Sequence, residues 1–163
     1  MNMKNRLEIK SLLLCSVLGL ALHGCGGATA EKDTVPPEIL SAGSETCPLN
    51  CEEFSRGSVL EFAYNFSDNF ELGSYNLEIH NNFDHHTHST EAGECRQDAV
   101  KEAVKPWIFN KDYTIPSGSK HYEARISIPV PDDVDLGEYH FMIRLTDSSG
   151  WQELRSVGIR ITE

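Results

Sequence analysis

Along most of this chain apolar and polar residues alternate with a period of two. In "SYNLEIH" at 74–80, Tyr75, Leu77 and Ile79 fall on one face and Asn76, Glu78 and His80 on the other. "SVLEFAYNF" at 58–66 alternates less regularly around Val59, Phe62 and Tyr64, and "EARISIPV" at 123–130, "EYHFMIRLT" at 138–146 and "LRSVGIRIT" at 154–162 continue the pattern. A shorter strand is expected at 37–42. Turn-forming clusters separate these runs: "SDN" from 67, "PSGS" from 116, "PDDVDLG" from 131 and "DSSG" from 147. Only "QDAVKEAVK" at 97–105 has helical spacing. Six or seven short strands with regular turns predict an all-β, antiparallel two-sheet sandwich, with a loop and one short helix inserted after the strand that ends at His80.

Asp135, Gly137, Tyr139 and Phe141 spell D-x-G-x-Y-x-F, which resembles the tyrosine corner of immunoglobulin folds. Phe141 stands where antibody domains place their second cysteine, so the usual bridge between sheets is absent and any disulfide must lie elsewhere. "DTVPPEI" at 33–39, "SDNFELGSYNLEI" at 67–79 and "TDSSGW" at 146–151 look like Ig-like domains of bacterial surface proteins. With "NNFDHHTH" and "GEYHF", the chain resembles an uncharacterised family of small Ig-like bacterial lipoproteins. That resemblance implies an immunoglobulin-like sandwich and an envelope location, and implies no activity.

The N-terminus carries the address. Lys4, Arg6 and Lys10 precede an apolar run, "SLLLCSVLGLAL" at 11–22, of signal-peptide length and too short to span a bilayer. "LHGC" at 22–25 resembles a bacterial lipobox, which implies cleavage before Cys25 and lipidation of its sulfur. The alternative is an ordinary secretory signal cleaved near Ala28 or Ala30. Gly26, in place of aspartate, favours the outer membrane by the lipoprotein sorting rule. The expected organisation is a signal peptide at 1–24, a flexible tether at 25–35, in which "GGATAEKDTV" shows no apolar periodicity, and one Ig-like domain at 36–163.

Charge and cysteine usage agree with export. The whole chain carries a formal charge of −11, and removing 1–24 takes three basic residues and one acidic residue, leaving −13. Such a surface repels nucleic acid and favours cations. Cys47, Cys51 and Cys95 remain beyond the lipidation site; in an oxidising compartment two should pair. A bridge from Cys47 or Cys51 to Cys95 would staple the insertion, and Cys47 to Cys51 is the competing local pairing.

"HNNFDHHTH" at 80–88 holds four of the chain's seven histidines. In an Ig-like sheet the strands 74–80 and 138–146 are antiparallel neighbours, so His80 and His140 arrive on the outer face at one end. The following loop brings Asp84, His85, His86 and His88 to that end; in an extended run Asp84, His86 and His88 share a side and His85 points away. Neutral imidazoles suit zinc or copper, and a carboxylate such as Asp84 can bind directly or orient a ring. The expected site is therefore His80, Asp84, His85, His86, His88 and His140. The competing reading is a solvated loop on a surface adhesion module that contacts a glycan or an envelope protein without metal.

Other candidates are weaker. The chain has no H-E-x-x-H, no G-x-S-x-G and no glycine-rich phosphate loop, so no enzyme is expected, and Glu91 and Glu94 read as solvated. Asp68 and Asn69, with Asp147 and Ser148, gather at the other pole, where Asx turns explain them without calcium. Trp107, Phe109 and Tyr113 could stack on sugar rings or pack at a sandwich edge.

Overall fold

The computed structural model describes residues 32–87 and 95–163. The segment expected to be a signal peptide, Cys25 expected to be lipidated, His88, Glu91 and Glu94 lie outside the described residues. Eight strands form two sheets: β1 (Glu38–Ser41), β2 (Glu52–Ser55), β3 (Val59–Ser67), β4 (Leu72–Asn81), β5 (Phe109–Thr114), β6 (His121–Pro129), β7 (Gly137–Asp147) and β8 (Gln152–Thr162). One sheet has the order β1-β3-β6 and the other β2-β8-β7-β4-β5. All pairings are antiparallel except that of β2 with β8. The all-β sandwich read from the alternation is the observed architecture.

The inner faces follow the period of two. Leu60, Phe62, Tyr64 and Phe66 of β3 meet Tyr75, Leu77 and Ile79 of β4 and Tyr139, Phe141, Ile143 and Leu145 of β7 in one buried cluster. Phe62 stands at its centre, with its ring 5.4 Å from Tyr64 and 5.6 Å from Phe141. Val59, expected in the alternation, is exposed, because the inward set of β3 is its even-numbered residues. The Tyr139 hydroxyl donates to the Asp135 carbonyl at 2.7 Å, the contact expected of a tyrosine corner, and accepts from the Trp107 N–H at 3.2 Å. Gly137 in this corner has φ +119°, and a β-carbon there would stand 3.3 Å from Phe83 and from the Lys101 ammonium. A side chain at 137 would be strained and crowded at once.

No helix forms at 97–105. The N–H groups a helix would turn inward are bonded elsewhere: Asp98 to Glu138 Oε1 (2.5 Å), Lys101 to the Phe83 carbonyl (3.1 Å), and Val104 and Lys105 both to Asp135 Oδ2 (2.7 Å). Val100 and Val104, the apolar stripe of the supposed helix, are exposed. With no surface to cover, the helical spacing earns nothing from tertiary packing.

Residues 98–105 are instead held against Phe83 and the segment 135–138 by these bonds. Cys95 is bonded to Cys51, the residue before β2, and Cys47 is a free, half-buried thiol. Beside the bridge, Arg160 of β8 donates to Asp98 Oδ2 and Glu138 Oε1, both at 2.6 Å, and to the Arg96 carbonyl at 3.2 Å. The charged clasp engages Glu138, which is 7% exposed.

Candidate functional site

β4 and β7 place the first two histidines. In their antiparallel register His80 is opposite His140, with Ile79 and Phe141 as the inward pair beside them. Inward-facing neighbours force both imidazoles onto the outer face. His140 is only 2% exposed, with the His80 and His86 rings edge-on beside it, so it forms the floor of the site and is not an outward surface residue.

The loop after β4 brings the third ring. Asn82 extends the pairing by donating its N–H to the Glu138 carbonyl (2.9 Å), and Phe83 then buries its ring edge-on to Tyr139, centroids 5.3 Å apart. The Lys101 ammonium covers the outside of Phe83, 4.2 Å from the ring centre. Anchored by that side chain, the backbone turns at His85, which has φ +58° and donates its N–H to the Asn82 carbonyl at 3.2 Å. A left-handed conformation is costly for histidine and is held here by the flanking anchor. The turn returns His86 over the sheet.

The three rings converge. His80 and His86 centroids are 5.3 Å apart, His80 and His140 5.5 Å, and His86 and His140 4.9 Å. Three imidazoles on one tetrahedral zinc ion, each nitrogen about 2.1 Å from the metal, place their ring centres about 5 Å apart. A ring nitrogen of each histidine lies within 4.8 Å of the other two. Nitrogens sharing one such ion stand about 3.4 Å apart, so modest ring rotation closes the set.

Carboxylates stand behind two of the rings. His86 Nδ1 lies 2.6 Å from Asp84 Oδ1, and His80 Nδ1 lies 3.0 Å from Glu78 Oε1. The hydrogen bond from His86 holds the Asp84 carboxyl below its ordinary value. An ionised carboxylate can only accept, so Nδ1 of His86 carries a proton, and in the neutral ring Nε2 keeps its lone pair. Fixing the tautomer through a carboxylate is how proteins commonly prepare a histidine for a metal. The side chains of His80 and His86 are 20% and 37% exposed, which leaves the site open above its buried floor.

Of the residues expected at the site, His80, His86 and His140 come together, and Asp84 sits behind His86. His85 is outside the group, because the turn at its own backbone sends its ring elsewhere; its Nε2 is buried with no hydrogen-bond partner among the described residues. Glu78 was not expected, although the alternation had already put it on the face of His80, two residues away. The sugar platform is not formed: Trp107 is 4% exposed in the core cluster, and Phe109 and Tyr113 lie on β5, where Tyr113 stacks on Tyr75 with centroids 4.9 Å apart.

No curated protein matches the chain. A family model, Domain of unknown function (DUF4625), matches residues 25–162, nearly the whole chain, and the protein belongs to that family.

Proposed function

We propose that this protein is an envelope lipoprotein, held at the outer membrane through Cys25, whose Ig-like domain binds a divalent transition metal, zinc or copper. The observation that carries the reading is the convergence of His80, His86 and His140, with carboxylates behind two of the three rings. Three neutral nitrogen donors suit zinc and copper far better than hard cations. The anchor reading is supported by the lipobox-like "LHGC" and by a family match that starts at Cys25. Three histidines leave a fourth position for water or for a ligand atom from a partner, and the reading is of a binding site.

Equilibrium dialysis against zinc and copper, with protein carrying no histidine tag, tests it. The protein should retain one ion per chain. His140→Ala should weaken retention at least tenfold, although residue 140 is remote in sequence from the histidine-rich loop. Retention weaker than about millimolar, roughly 4 kcal/mol of binding free energy, or an unaltered His140→Ala isotherm, would leave the loop a solvated one.

A further inference from the structure

Three aspartates meet at the opposite pole. β4 runs from Leu72, register partner of Asp147, to His80, partner of His140. Eight residues of strand separate the two ends by roughly 25 Å. Asp33 precedes β1, Asp68 follows β3 and Asp147 ends β7; they are 6%, 7% and 4% exposed. Asp33 falls within the span read as tether, yet it is buried against the domain.

Each carboxylate has its two oxygens in different circumstances. Asp68 Oδ1 accepts the N–H groups of Phe70 and Glu71 at 2.7 and 2.6 Å, and Asp147 Oδ1 accepts those of Ser149 and Trp151 at 2.9 and 2.8 Å. Asp33 Oδ1 accepts the Val35 N–H and the Asn69 amide, both at 3.1 Å. These are the Asx-type bonds the turn sequences imply, and they fix how each side chain points. The second oxygen of all three, Oδ2, is buried with no hydrogen-bond partner among the described residues. A carboxylate oxygen of each lies within 4.8 Å of those of the other two.

Among the described residues none of the three joins an ion pair, and the nearby Lys120 ammonium donates to the Asn69 carbonyl instead. Buried charges without partners are strongly disfavoured, and an ion held among the three carboxylates would remove the penalty.

The geometry points to a calcium site formed by Asp33, Asp68 and Asp147, which fastens the segment entering the domain to the turns at 68–71 and 147–151. An all-oxygen donor set of three carboxylates, with water and carbonyls to complete six to eight ligands, is calcium chemistry. It goes beyond the histidine site and does not depend on it. Binding would make the approach to β1 rigid.

Calorimetric melting and calcium titration of the protein, in chelator and in about 5 mM calcium, test the inference at the affinities of extracellular calcium modules. One calcium ion should bind per chain and raise the melting temperature by several degrees. Asp33→Asn and Asp147→Asn keep an Oδ1 acceptor for the turn, so they should fold; they should lose at least tenfold in calcium affinity. In chelator they should melt no lower than wild type, since each removes a repulsion. Should Asp147→Asn fail to fold, Asp33→Asn, outside every strand, decides alone. A wild type unresponsive to calcium, an equal response to magnesium, or Asn variants that bind as wild type would overturn the site. His140→Ala should leave the calcium isotherm unchanged; a calcium signal lost with His140 would place the ion at the histidine pole and overturn it as well.

Discussion

Position 86 shows how little separates a ligand from a bystander. His85 and His86 are adjacent and chemically identical, yet a left-handed backbone at 85 and a carboxylate at 84 aim only His86 at the shared centre. An extended run would put Asp84 and His86 on one side, but it is a turn at His85 that brings them together, and no alternation could foresee a turn anchored by Phe83 on the Tyr139 ring. Asp33 was illegible for a similar reason: it sits in a polar stretch without periodicity, and its role depends on two turns remote in sequence. Cys47 is a third such case. Spacing left it an equal candidate for a bridge, but the structure spends Cys51 on Cys95 and keeps Cys47 as a thiol. Burial first, then the charge of Glu52, pushes that thiol up to about 11. At pH 8 it is held as the unreactive thiol, so alkylation by iodoacetamide should be far slower in the native protein than in urea. Equal rates in the two states would contradict the burial described for Cys47.

At the scale of elements, the long strands with a buried face were legible, and of the short or edge strands only β1 was. β4 and β7 announced themselves because every second residue enters the core. β2, "EEFS", has one buried apolar residue, Phe54, and is recruited by parallel hydrogen bonding along β8. β5, "FNKDYT", is an edge strand with mostly exposed side chains. The insertion misled in the other direction, since its helical spacing was overruled by acceptors on Glu138, Phe83 and Asp135 that no local pattern reveals. Its attachment should depend on acidity through Asp98, whose carboxyl is held below the ordinary value chiefly by the hydrogen bond from Arg160. A depressed folded value means a contribution present above the unfolded carboxylate value near 3.9 and lost as pH falls through the lower folded one. Between pH 5 and pH 3, wild type should therefore lose stability to urea faster than Asp98→Asn. Parallel losses would mean that the Arg160 clasp does not hold the insertion.

Taken whole, the molecule is a sandwich with unlike poles joined by β4 and β7. One pole gathers imidazoles on an open, carboxylate-backed floor; the other gathers buried aspartates where the chain enters the domain. Both are built from residues distant in sequence that antiparallel register makes neighbours, so the fold itself assembles them. The alternation revealed that register, and with it the pairing of His80 with His140, while the closing of each site by a loop needed the tertiary structure. The central claim is that three imidazoles from β4, β7 and the loop between β4 and β5 share one transition-metal ion. X-ray absorption at the zinc edge of the zinc-loaded protein tests it most directly, because imidazole rings leave a scattering signature of their own. The account predicts three imidazole ligands at about 2.0–2.1 Å, falling to two in His140→Ala. A first shell of oxygen with one imidazole or none, or a spectrum that His140→Ala leaves unchanged, would contradict it.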